Sequence, residues 1–139
     1  MVEMEVAEVT FDQGRHAAFA VLRQRGGDGE CAVPIGRRTA ALVQASLLGQ
    51  RFARPLTYDL LQAVTAALGA RLARAVLARG AHHGIDAFID VEAGAAGILE
   101  LPCSVEDAVA LAASARVRIA LSPEIVQQLS DRRGPGAES

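Results

Sequence analysis

Two short segments of the sequence each place acidic residues at a predicted helix start. In RPLTYDLL, residues 54–61, Asp59 follows Thr57 by two positions, and in PCSVEDAV, residues 102–109, Glu106 and Asp107 follow Ser104. If the two helix starts meet in space, Asp59 and Asp107 would bind a divalent cation such as Mg²⁺ or Mn²⁺, with Glu106 assisting. A cation held in this way activates water, which is the chemistry that hydrolysis of a phosphodiester bond requires.

A structural role explains the same residues. Thr57 and Ser104 are good N-cap residues, and Asp107 follows Ser104 at the spacing of a capping box, with Asp in place of Glu. A carboxylate in the first turn also interacts favourably with the helix dipole, by ~0.3–1 kcal/mol. The sequence leaves the metal site and the helix caps open as alternatives.

The densest basic feature surrounds the first predicted helix, with Arg37 and Arg38 at its start and Arg51 and Arg54 after its end. Guanidinium groups bind phosphate oxygens through paired hydrogen bonds, so these four side chains are candidates for holding a nucleic-acid backbone. Arg51 and Arg54 also suit a helix C-terminus. Positive charge is unfavourable at a helix N-terminus, so Arg37 and Arg38 favour the functional interpretation.

The composition limits the classes of function. All fourteen basic residues are arginine and the net charge is −2, which lacks the basic excess of a dedicated nucleic-acid binder, so polyanion binding would need a local patch. The adjacent His82 and His83 lack further ligands at metal spacing and predict a solvated turn. Cys31 and Cys103 lie in apolar surroundings and are expected to be buried thiols of a reducing compartment, although a single disulfide stays open.

No signal peptide and no membrane span are expected, which predicts a cytoplasmic protein. The hydrophobic fraction is 51% with only five aromatic residues, so aliphatic side chains must build the core. An apolar excess in a small domain favours a homo-oligomer.

The periodicity of apolar residues predicts an α+β fold with a mixed, largely antiparallel sheet and three to four helices. Strands are predicted at 2–11, 17–25, 30–36, 70–79, 85–93, 97–102 and 116–122, and helices at 37–50, 57–68, 104–114 and 122–129. The segments 55–78 and 102–122 share the order Pro, hydroxyl residue, Asp, apolar helix and Ala-Arg-led strand, which suits a domain of two similar halves. One domain is predicted over 1–131, followed by a disordered tail at 132–139.

The order of these segments resembles the bifunctional nuclease (BFN) domain family. The resemblance is carried by MVEMEVAEV, PIGRRTAALVQASLLG, RPLTYDLL with ALGARLARAVLA, and DAVALAASARVRIALSPEIV, and it runs from residue 1 to about 130. It implies an α+β domain, a homodimer or higher oligomer, and a metal-dependent activity on both DNA and RNA.

Several polar positions depart from the family pattern. Thr39 stands where the family usually carries Glu, Tyr58 replaces a His, and the stretch 102–106 lacks the family's acid, Arg and Ser at corresponding places. Two hypotheses follow. The chain is a nuclease that uses Asp59, Asp107 and Glu106 for catalysis, or it is a non-catalytic binding or scaffolding module that retains the fold.

Overall fold

The computed structural model describes residues 1–14, 16–50 and 57–131, and most of its sheet consists of two antiparallel three-stranded meanders. The first contains β1 (Val2–Asp12), β2 (Ala17–Gln24) and β3 (Glu30–Ile35); the second contains β4 (Arg71–Arg79), β5 (Ile85–Glu92) and β6 (Ile98–Cys103). A short strand, β7 (Ile119–Leu121), joins them, antiparallel to β1 and parallel to β4. The resulting order is β3-β2-β1-β7-β4-β5-β6. The predicted α+β class with a mixed, largely antiparallel sheet is confirmed.

Four α-helices accompany the sheet in the described residues: α1 (Arg37–Leu47), α2 (Thr57–Ala67), α3 (Val105–Ala115) and α4 (Pro123–Asp131). α1 and α3 pack against each other and against the sheet, whereas α2 contacts α3 and β4. The connection from α2 to β4 and that from α3 to β7 end in neighbouring parallel strands, with Ala75 opposite Ile119 and Leu77 opposite Leu121. The two segments that share a sequence order therefore also occupy related places in the fold.

Alternation along the strands separates a face of aliphatic residues from a face that also carries the charged residues. Met4, Leu22, Leu77, Ile119 and Leu121 are almost fully inaccessible and form the core together with α3 and α4. Burial of one such aliphatic side chain contributes about 1.5–3 kcal/mol, so a core without Trp is sufficient to hold a domain of this size. The strand residues between them point away from α1 and α3.

Both edge strands carry a proline. Pro34 lies in β3 and Pro102 in β6, and both are exposed. Proline has no N–H group for a ladder hydrogen bond, so it is tolerated at an edge and discourages pairing with a further strand.

Residue types at the helix ends suit the ends that they occupy. Ser104 is the N-cap of α3 and Pro123 is the first residue of α4. Gly49 (φ +69°) and Gly69 (φ +78°) adopt the left-handed conformation just after α1 and α2, where the absence of a Cβ atom is required. Thr57, predicted as an N-cap, is already the first residue of α2.

The strand predicted at 116–122 is shorter than expected. Arg116 takes a left-handed conformation (φ +56°) and ends α3, so pairing with β1 and β4 begins only at Ile119. Cys31 is buried, but Cys103 is partly exposed, because it ends the edge strand β6. Neither cysteine forms a disulfide, so the disulfide alternative is wrong. His82 lies in an exposed turn, as expected.

No helix in the described part of the chain is long and apolar enough to span a membrane. Arg51, Arg54 and the tail predicted at 132–139 lie outside the described residues.

Candidate functional site

Asp107 is engaged on two sides at the start of α3. Its backbone N–H donates to the Oγ atom of Ser104 at 3.1 Å, which is the N-cap bond that the sequence predicts. Its side chain accepts a hydrogen bond at 2.8 Å from the hydroxyl of Tyr58, near the start of α2. Asp107 is therefore a link between two helices as well as part of a cap.

Asp59 makes a second link between the same helices. Its Oδ1 atom accepts a hydrogen bond at 2.8 Å from the Oγ–H of Ser114, near the end of α3. The side-chain amide of Gln62 donates to the same Ser114 oxygen at 2.5 Å. Asp59 lies in the first turn of α2, as predicted, and together with Gln62 it fastens α2 to α3.

Asp107 and the partner of Asp59 lie at different turns of α3. Asp107 and Ser114 are seven residues apart in α3. This is two turns, or roughly 10 Å along the helix axis. A divalent cation contacts its oxygen ligands at roughly 2.0–2.6 Å, so two carboxylates that share one ion must lie within about 5 Å of each other. The positions of the hydrogen-bond partners therefore separate Asp59 and Asp107 instead of pairing them.

Glu106 points from α3 to a third helix. Its carboxylate accepts a hydrogen bond from the backbone N–H of Gly36, the N-cap residue of α1. A Cβ atom at position 36 would lie 3.1 Å from this carboxylate, so glycine allows the close approach. The negative charge lies at the positive end of the α1 dipole, directly before Arg37 and Arg38.

An apolar cleft of about 310 Å³ opens between α2, α3 and the end of β6. Leu61, Leu72, Ile89, Leu101 and Leu111 form much of its wall, and Tyr58, Cys103 and Asp107 supply polar groups. Burial, the hydrogen bond to Asp107, and the nearby charges of Asp107 and Glu106 raise the pKa of Tyr58 to about 12. Burial, and to a lesser extent Asp107, raises the pKa of the Cys103 thiol. Both groups are therefore uncharged at neutral pH, and neither is activated as a nucleophile.

The donor set does not fit the divalent cation that the sequence predicts. Within the described residues, no three His, Cys, Asp or Glu side chains lie close enough together to bind a metal ion. The three predicted acidic residues instead accept hydrogen bonds from three different elements: Asp59 from α3, Asp107 from α2 and Glu106 from the N-cap of α1.

Six of the described arginines differ in their surroundings. Four lie in the strands or directly before β7 and make ion pairs: Arg23 with Glu8 and Glu30, Arg71 with Glu92, Arg74 with Asp90, and Arg118 with Glu3. Arg37 and Arg38 are exposed at the start of α1, and neither makes an ion pair with another residue in the described ranges. The structure thus leaves the two predicted phosphate-binding residues that it describes accessible.

Comparison with protein families identifies the class of this fold. The family model of the bifunctional nuclease domain matches residues 20–132 of the 139 residues. The chain belongs to the bifunctional nuclease domain family. A search of curated proteins finds no match. The matched range covers every helix and most strands described above. It includes the α2–α3 junction, which consists of Tyr58, Asp59, Gln62, Asp107 and Ser114.

Three residues that form these contacts were not predicted from the sequence: Gly36, Gln62 and Ser114. Gln62 offered a weak signal, because Tyr58 and Gln62 are four positions apart in α2 and so share one face of the helix. Gly36 and Ser114 carried no comparable signal. Their partners lie 70 and 55 residues away in the sequence, and neither spacing nor composition indicates which distant side chains meet.

Proposed function

We propose that this BFN domain binds nucleic acid through backbone phosphates at the start of α1, without using Asp59 and Asp107 as ligands of a shared metal ion. The observation that carries this proposal is the exposed pair Arg37 and Arg38, which has no ion-pair partner among the described residues. The four arginines whose ion pairs are described above, in contrast, are neutralised by neighbouring carboxylates.

The electrostatics at the start of α1 support an anionic partner. The N-terminus of a helix carries a partial positive charge, and two exposed guanidinium groups add to it. Glu106 offsets part of this charge from inside the fold through its bond to the Gly36 N–H, while Arg37 and Arg38 stay exposed to solvent. Arginine forks match phosphate oxygens in geometry and charge. Arg51 and Arg54, whose surroundings are not described, extend the proposal as additional phosphate contacts.

The double substitution Arg37→Gln/Arg38→Gln tests the proposal. Fluorescence anisotropy with labelled single- and double-stranded DNA and RNA, in the presence of EDTA, should show binding by the unmodified chain. The variant should bind at least about tenfold more weakly, because it loses two phosphate contacts. The slope of log K against log salt should fall by about two, since each contact contributes about 0.9 on duplex DNA.

Arg23→Gln is the matched control, because Arg23 is exposed but already paired with Glu8 and Glu30. It should leave affinity and salt slope almost unchanged. Equal affinity of the double variant and the unmodified chain would contradict the proposed surface, and absence of binding by the unmodified chain would contradict the function.

A metal-dependent nuclease is the second candidate, and membership of a family described as a bifunctional nuclease domain favours it. In this candidate Asp59 and Asp107, assisted by Glu106, would hold Mg²⁺ or Mn²⁺ and hydrolyse phosphodiester bonds. The junction would first have to rearrange, because the bonds from Tyr58 and Ser114 would need to break for the two carboxylates to meet. This candidate predicts metal-dependent cleavage that Asp59→Asn and Asp107→Asn both remove.

The proposal also includes a cytoplasmic location and a homo-oligomeric state, with the dimer favoured. Support for self-association comes from the apolar composition and from the large apolar side chains that α2 and β6 expose.

A further inference from the structure

A second pocket, of about 230 Å³, lies between the last turns of α1 and α3, β1 and the residues that lead into β7. Apolar residues of both helices and of β1 line it, together with five polar residues: Glu5, Arg25, Ser46, Arg116 and Arg118. Three positive charges against one negative charge give this lining a net charge of +2, although the whole chain has a net charge of −2. The pocket is therefore a local concentration of positive charge.

Two of the three arginines of the pocket have no ion-pair partner among the described residues. Arg118 binds the carboxylate of Glu3 at 2.5 Å. Arg25 and Arg116 are exposed, and neither lies within ion-pair distance of a carboxylate that the structure describes. Their guanidinium groups are thus available to an anion in the pocket.

Arg116 occupies a backbone position that suits glycine. It adopts a left-handed conformation (φ +56°) at the C-cap of α3, and α1 and α2 are followed by Gly49 and Gly69 in the same conformation. The Nη2 atom of Arg116 lies 3.9 Å from the place of a Cβ atom at Gly49, so its side chain extends to the end of α1.

A structural role accounts for part of this arrangement. A guanidinium group at the ends of two helices offsets their partial negative charges, which explains a cation at position 116. It does not explain Arg25, which follows β2 and lies at the end of no helix. A strained residue whose side chain reaches a pocket is also typical of binding sites. Both arginines together therefore favour a ligand.

We propose that this pocket binds the phosphate group of a small phosphomonoester. Such a group carries a charge of about −1.5 to −2 at pH 7, which two unpaired guanidinium groups match in charge and in hydrogen-bond geometry. The Glu5 carboxylate accepts hydrogen bonds, so it favours a ligand whose body carries hydroxyl groups. A volume of about 230 Å³ lies below the roughly 300–1,000 Å³ of sites for drug-sized ligands, which favours a body as small as a sugar.

This pocket is separate from the surface proposed at the start of α1. Arg37 and Ser46 are nine residues apart in α1, which is roughly 13 Å along the helix axis. The start of α1 is exposed, so a continuous nucleic-acid backbone can pass over it, whereas a pocket between two helices and a strand receives an end group. The phosphomonoester is either a free sugar phosphate or the terminal phosphate of a nucleic-acid strand, which share this chemistry.

Isothermal titration calorimetry with ribose 5-phosphate tests the proposal, and ribose is the comparison ligand without a phosphate. The unmodified chain should bind ribose 5-phosphate saturably and should not bind ribose. Arg25→Gln and Arg116→Gly should each weaken binding at least about tenfold, because each removes a charge-assisted contact. Arg71→Gln is the matched control and should leave the affinity unchanged, because Arg71 is exposed, paired with Glu92 and outside the pocket.

Arg116→Gly also separates binding from a structural role. Glycine adopts a positive φ without strain, so the midpoint of urea unfolding should stay the same or rise while ribose 5-phosphate binding is weakened. A lower midpoint with unchanged affinity would show that Arg116 serves only the helix ends, and would overturn the proposal. Absence of ribose 5-phosphate binding by the unmodified chain would overturn it as well.

Competition with a single-stranded oligonucleotide, in EDTA, distinguishes the two sources of the phosphomonoester. Displacement of ribose 5-phosphate by the 5′-phosphorylated form but not by the 5′-hydroxyl form would support the pocket and assign it to strand ends. Displacement by neither form would support a pocket for a free sugar phosphate. Equal displacement by both forms would show that internal phosphodiesters enter the pocket, and would overturn the assignment to a phosphomonoester.

Discussion

Asp59, Asp107 and Glu106 lie in the first turns of their helices, as predicted, and their carboxylates also link neighbouring elements. The predicted cap formed by Ser104 on the Asp107 N–H is confirmed. The carboxylates themselves accept hydrogen bonds from other elements, and Tyr58 provides one of the bonds. The residue types thus indicate polar contacts at two helix starts, but the identity of each partner depends on tertiary packing.

Tyr58 gives a direct readout of this junction because it is the only tyrosine in the chain, which contains no Trp. Its pKa is raised to about 12 in the folded protein, against about 10 in an unfolded chain. The folded state therefore retains the proton between pH 10 and 12 while the unfolded state loses it. The free energy of unfolding should be constant with respect to this group below about pH 10 and should fall as the pH rises through 12.

Near-ultraviolet absorbance of tyrosinate measures this titration, and urea unfolding at several pH values measures its effect on stability. Tyr58→Phe, which leaves the Asp107 side chain without its donor, should lower the free energy of unfolding by about 0.5–1.5 kcal/mol at neutral pH. The variant should also lack the decrease in the free energy of unfolding that the titration of Tyr58 causes above pH 10. A tyrosine that titrates near pH 10 in the folded chain would contradict the Tyr58–Asp107 bond.

At the scale of elements, the first turn of α3 holds the helical layer together. Glu106 reaches the N-cap of α1 and Asp107 reaches α2, so two adjacent residues fasten two different helices. This arrangement follows from helical geometry, because adjacent residues project about 100° apart around the axis. The sequence SVED at the start of α3 therefore directs one acidic side chain to α1 and the other to α2.

Substitution of Glu106 by Gln tests the fastening of α1 to α3. The change removes the charge that accepts the Gly36 N–H bond at the positive end of the α1 dipole, so the free energy of unfolding should fall by about 1 kcal/mol. Urea unfolding measures the effect. Glu124→Gln is the control, because Glu124 also lies in the first turn of a helix, α4, but is exposed and not linked to α1. Equal losses in both variants would show that only a local dipole effect operates.

Most element positions were predictable from the sequence, whereas their contacts were not. Periodicity and the Gly, Pro and Ser signals placed every helix and strand within a few residues. The strand at 116–122 was overestimated, because Arg116 adopts a left-handed conformation that is unusual for arginine. The leucines of α2 have helical spacing whether they face a core or a second molecule, so periodicity could not reveal that they are exposed.

At the scale of the whole molecule, charge is distributed unequally between the two sides of the sheet. The strands place ion-paired arginines and many carboxylates on the side away from α1 and α3. At the start of α1, Arg37 and Arg38 make no ion pair with any residue that the structure describes. A net charge of −2 therefore coexists with a local surface suited to phosphates. The unfavourable position of Arg37 and Arg38 at a helix start predicted this surface from the sequence. The negative charge of Glu106 beside the same helix start could not be predicted, because Glu106 lies 70 residues from Gly36 in the sequence.

Incubation of the purified chain with single- and double-stranded DNA and RNA, in Mg²⁺, Mn²⁺ or EDTA, tests the central claim most directly. We expect the nucleic acids to be bound in all three conditions and to remain intact. The reason is that Asp59 is bound to Ser114, about two helical turns from Asp107 along α3. Asp59→Asn and Asp107→Asn should leave binding unchanged apart from their effect on stability. Cleavage that requires Mg²⁺ or Mn²⁺ and disappears in both variants would contradict this account and establish the metal-dependent nuclease.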